Sequence, residues 1–246
     1  MGLAQFSLQA PGSWILLSLI MSALLFSLRQ STSAGWHRWL HMAAWLLIPY
    51  LGLLLGGISP RLMGLSNIDW LASLGLGSAI IFVILLLLTL VRATTAGSET
   101  NTTHLGRQRQ YPGGMMSPPL APQATLTTQF SQIVQSGVEE FHWCFIRGAL
   151  WELTLTLSTP PSLPAYWAVW IATLLILPEM LWQQETLIQR LFQLIVLTAT
   201  TVLFFYTRNF WLCWVLHVFA GLVLRFHQAP SLAIRAQGIE LQARPK

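Results

Sequence analysis

"WLASLGLGSAIIFVILLLLTLV", Trp70 to Val91, runs for 22 residues without an Asp, Glu, Lys or Arg. As a helix it would be about 33 Å long at a rise of about 1.5 Å per residue, enough to cross a hydrocarbon core about 30 Å thick. The rest of the chain decides between a membrane span and the buried helix of a soluble domain. Hydrophobic residues make up 54% of the 246 and charged residues only 9%, with a mean hydropathy of +0.59. A water-soluble fold of this size would lack the polar surface to cover itself, so the composition predicts an all-α polytopic membrane protein whose first partner is the lipid bilayer.

Six further stretches of similar character lie on either side of the first. Upstream are Ser13–Leu28 and Trp39–Ile58, the latter interrupted by Pro49; downstream are about Phe130–Leu157, Tyr166–Gln183, Leu187–Tyr206 and Phe210–Leu224. The amino-terminal "MGLAQFSLQAPGS" has no Lys or Arg, so the first stretch is expected to stay as a span and not to be removed as a signal peptide. The polar stretch from Arg92 to Thr128, rich in Thr, Gly, Gln and Pro, lacks apolar periodicity and reads as a flexible extramembrane linker. The expected organisation is three amino-terminal membrane helices over 1–91, the linker over 92–128, a helical core over 129–226 and a polar tail over 227–246.

Basic residues set the expected orientation. With the amino terminus outside, Arg29, Arg38, Arg92, Arg107, Arg109, Arg190, Arg225, Arg235, Arg244 and Lys246 fall on the inner side, against Arg61 and Arg208 outside. That asymmetry predicts a carboxyl terminus on the cytoplasmic side. The net charge of +5 is scattered singly and forms no patch, which argues against nucleic acid as a partner. Trp-rich stretches near span ends ("WHRWL", "YWAVW", "FWLCW") read as interfacial belts. Cys144 and Cys213 lie inside apolar segments and read as small hydrophobes.

Charge is concentrated in one place, "VEEFHWCFIRG", Val138 to Gly148. An ionisable group inside a span costs about 2.5–3.5 kcal/mol on insertion scales, so such groups face the protein interior and pair or act there. Glu140 and Arg147, seven residues apart, share a helix face about 10 Å apart along the axis; the arginine can lean back toward the carboxylate, directly or through water. Glu139 points to a neighbouring face with His142 close by. Adjacent carboxylates beside a guanidinium offer one route to a general base, and a purely structural ion pair is the other reading of the same residues.

"VEEFHWCFIRGAL", followed by "LFFYTRNFWLCWVLHVFAGLVL", resembles the CAAX-protease and bacteriocin-processing (CPBP) family of intramembrane proteins over roughly Gly137 to Leu224. The resemblance implies a CPBP-like bundle of about seven transmembrane helices and an intramembrane endopeptidase activity on a membrane protein or peptide. Glu139 and Glu140 would match the glutamate pair, one of them the general base; Arg147 would be an orienting charge, and His217 would polarise water or an oxyanion. The chain departs from the family pattern in three places. Arg147 follows the second glutamate by seven residues instead of four, no histidine lies between His142 and His217, and Gly221 stands where Asn or Asp is usual. His142 is the candidate stand-in for the missing histidine. These departures motivate the alternative of a non-catalytic membrane scaffold or assembly factor; a transporter has no internal repeat behind it. No cofactor is firmly implied, and ligand spacing does not support zinc, which would need His142 and a carboxylate to converge on His217.

Overall fold

The computed structural model describes residues 9–28, 34–106, 126–183 and 187–225. Among them are seven α-helices and no strands: α1 Pro11–Leu28, α2 Ala34–Leu54, α3 Trp70–Gly106, α4 Leu126–Leu155, α5 Pro164–Gln183, α6 Leu187–Thr207 and α7 Phe210–Arg225. Four contain a segment long and apolar enough to cross a membrane: Pro11–Leu28, Trp70–Leu90, Pro164–Trp182 and Gln189–Thr207. Helix α7 supplies a shorter apolar stretch, Phe210–Val223. The backbone of α3 continues past Val91 to Gly106, beyond the expected start of the linker at Arg92. A helix already nucleated by an apolar span extends at little further cost, because each added residue gains a hydrogen bond. Residues 107–125 of the expected linker, and the expected tail, lie outside the described residues.

The distribution of side chains is that of a membrane protein. Large apolar residues face outward, among them Leu71 at 89%, Phe82 at 67% and Leu174 at 66% exposure. Glu140, Arg147, Thr200, Thr201 and Asn209 are fully buried. Water would reverse that arrangement, whereas lipid favours it. The exposed tryptophans Trp36, Trp39, Trp70, Trp167, Trp182 and Trp211 lie within two turns of a helix end, where an amphipathic indole suits the headgroup layer.

Helix α4 is the hub, packed against α1, α2, α5 and α7. It is the least apolar of the seven, and it buries a continuous run from His142 to Trp151. Its closest neighbour is α5, where Ala168 and Ala172 are fully buried, as is Ala149 of α4. Small side chains let two backbones approach and replace the hydrophobic drive that lipid cannot supply.

One end of the bundle is closed by the loop between α2 and α3. Met63 is fully buried there, and the backbone N–H of Ser59 donates to Glu152 near the end of α4 at 2.7 Å. Gly148 makes room for this plug, since a Cβ there would lie 2.8 Å from Met63 and 3.2 Å from the Leu62 backbone. Gly64 adopts φ +73° and accepts from the N–H of Phe210 at 3.1 Å, tying the plug to the α6–α7 turn. In that turn Asn209 caps α7: its side-chain oxygen accepts from the N–H of Trp211 at 3.0 Å, and its amide donates to Ser73 of α3 at 3.1 Å.

Candidate functional site

Two buried polar clusters meet on α4. In the first, Arg147 donates to Glu140 at 2.8 Å, both side chains being fully buried. The seven-residue spacing therefore closes by direct contact. The second guanidinium nitrogen donates to the hydroxyls of Thr200 at 3.2 Å and Thr201 at 3.1 Å on α6. Each of those hydroxyls gives its own hydrogen to the Leu197 carbonyl, which leaves oxygen lone pairs facing the arginine. The guanidinium carbon lies 5.4 Å from the Phe204 ring centre, and Cys144 donates its S–H to Glu140 at 3.6 Å. A buried guanidinium needs this many partners to offset its lost hydration.

His217 of α7 bridges the glutamate pair. Its Nε2 lies 3.4 Å from Glu139 and its Nδ1 3.4 Å from Glu140. The ring stacks on Trp143 at a centroid distance of 5.0 Å. An imidazole between two carboxylates satisfies both contacts in one of two ways: as an imidazolium donating to each, or neutral beside one protonated acid. In the first case two acids and two cations sum to zero charge, the arrangement a low-dielectric interior favours. Glu139 also accepts from Gln135 one turn earlier at 2.9 Å.

His142 lies elsewhere. Its Nε2 faces Glu179 of α5 at 3.5 Å, and its ring stacks on Trp45 of α2 at 5.2 Å. Glu179 is the centre of this second cluster. It accepts from the Trp45 indole N–H at 2.9 Å and from the Ser22 hydroxyl of α1, and it lies 3.8 Å from His41 of α2. His41 in turn meets His37 edge-on one turn earlier, at a ring distance of 6.0 Å. The structure thus brings Glu139, Glu140, Arg147 and His217 together and places His142 with a different carboxylate. Among the described residues no group of three His, Cys, Asp or Glu side chains has the geometry to hold a metal ion.

The clusters share a boundary. A cavity of about 10 Å³ lies between them. Its walls include both Glu139 and Glu179, the indoles of Trp45 and Trp143, and Gln193 of α6. That is space for about one water molecule.

Neither the two threonines nor Glu179 stands out as a site residue from the sequence. The "TATT" run, Thr198 to Thr201, stands out as polar within an apolar helix, and that was a usable signal. Glu179 beside Pro178 reads equally as a kink near the interface, and only the fold brings His41, Ser22 and Trp45 to it. Against models of protein families, characterised proteins and solved structures, the chain matches none.

Proposed function

We propose that this is an intramembrane endopeptidase of the CPBP type, in a bundle of seven spans with the amino terminus outside. The observation that carries the reading is Glu139, which borders the water-sized cavity with one side and contacts His217 with the other. Glu140 is committed to Arg147, so Glu139 is the base and the Glu140–Arg147 pair holds His217 in place. Glu139 takes a proton from the cavity water as its oxygen attacks the peptide carbonyl carbon. The imidazolium of His217 stabilises the oxygen that becomes negative. The C–N bond then breaks, and the proton held by Glu139 passes to the leaving nitrogen, giving a carboxylic acid and an amine. Proteoliposomes containing the protein and single-span test peptides provide the test. New peptide termini appear with wild type, and Glu139→Gln and His217→Asn each lower their rate by about 100-fold or more. Unchanged cleavage in Glu139→Gln contradicts the assignment.

A second reading is favoured by the closure of the site. Glu140 and Arg147 are fully buried and the cavity admits one water, not a peptide. On that reading the protein is a non-catalytic membrane scaffold whose charged core fixes the helices that bind a partner membrane protein. It predicts that Glu140→Gln lowers partner co-purification while no cleavage product accumulates with any variant.

A further inference from the structure

We propose that a file of imidazoles and carboxylates, running from His37 on α2 to His217 on α7, carries protons between one face of the membrane and the buried Glu140–Arg147 pair. The file rests on a series of neighbouring groups. His37 meets His41 edge-on, His41 lies 3.8 Å from Glu179, and Glu179 borders the water-sized cavity whose opposite wall is Glu139. Glu139 lies 3.4 Å from His217, and His217 lies 3.4 Å from Glu140. His142, 3.5 Å from Glu179, is a side branch. The His37–His41 and His41–Glu179 steps are not direct hydrogen bonds, so the proposed file needs a bridging water at each of them as well as one in the cavity. Chains of Glu and His inside a membrane protein are the usual material of proton relays, because imidazole accepts at one nitrogen while donating from the other.

The file has a mouth and a blind end. Arg38, next to the half-buried His37, is exposed at the start of α2. The other end of the bundle is closed by the loop carrying Met63 and by the α6–α7 turn. Beyond Glu140 stand Arg147, whose guanidinium carries its protons permanently, and the two threonines on it. Each hop moves one proton from an N–H or O–H to the next lone pair, and the water in the cavity takes one and gives one, so no co-reactant is needed. The result is a one-sided access path that sets the protonation of the Glu139–His217–Glu140 line from the face where α2 begins. It does not depend on peptide hydrolysis, since a scaffold with the same core would exchange its protons in the same way.

Deuterium exchange at the His217 ring tests it. The full chain is labelled with nitrogen-15 histidine, reconstituted into lipid vesicles and followed by solid-state nuclear magnetic resonance, with the His217 signal assigned by its loss in His217→Asn. Exchange after transfer to deuterated buffer slows by about 100-fold in Glu179→Gln and in His41→Gln, although neither residue touches His217. A rate within about tenfold of wild type in either folded variant overturns the file. Should both core variants fail to fold, His37→Phe at the half-buried mouth decides by the same criterion. Peptide cleavage is not part of the readout, so failure of the file leaves the peptidase assignment standing, and the reverse holds too.

Discussion

Arg147 is the residue on which the interior depends. It is fully buried, and its partners come from two helices, Glu140 on its own and the threonine pair on α6. Removing one member of a buried pair leaves the other charged and unsolvated. Arg147→Met is therefore expected to destabilise the protein by about 3–5 kcal/mol, and Glu140→Leu combined with Arg147→Met by much less than the two single changes added together. Denaturant unfolding in detergent measures both, and additive losses would show that the two side chains do not act as a pair. The pairing was legible before any fold was known, because a seven-residue spacing on a helix fixes the face. The partners of Glu179 were not, since Ser22, His41 and Trp45 reach it from helices distant in sequence.

At the scale of elements, most helices were legible from length and apolarity alone. The seven expected stretches each hold one helix, with ends that differ by a few residues except at the carboxyl end of α3. Polar content marks a span poorly there, since the threonines and the one serine between Val91 and Gly106 do not break a helix already under way. The way the elements lock at the closed end was hidden, because it depends on backbone contacts between distant turns. Gly64 is the test case. Its φ of +73° disfavours any side chain, and a Cβ would lie 2.7 Å from the Arg208 carbonyl oxygen. Gly64→Ala is expected to cost about 1–3 kcal/mol and to lower the melting temperature, while Gly56→Ala, at a similar φ of +72° but with open space around it, costs less. Equal losses would mean that the contact with the α6–α7 turn contributes nothing.

For the whole molecule, an apolar exterior around a charged interior implies a bilayer, and the proposed seven-span arrangement puts the two termini on opposite sides of it. In a background without Cys144 and Cys213, a cysteine at Arg61 or Ser162 is expected to react with a membrane-impermeant maleimide from one side, and a cysteine at Arg38 from the other. All three positions are exposed in loops or at a helix start. Reaction of all three from the same side would contradict the seven-span arrangement.

The proposal that Glu139 activates water inside this core is tested most directly by cleavage in water enriched in oxygen-18. Wild-type protein and Glu139→Gln are each mixed in excess with a single-span test peptide in lipid vesicles, and the new carboxyl terminus is weighed by mass spectrometry. The predicted result is one labelled oxygen in the product of the wild-type protein, and a rate lower by about 100-fold or more for Glu139→Gln of unchanged helical content. Labelled product at the wild-type rate from Glu139→Gln, or no product from the wild-type protein with any membrane peptide, would contradict it.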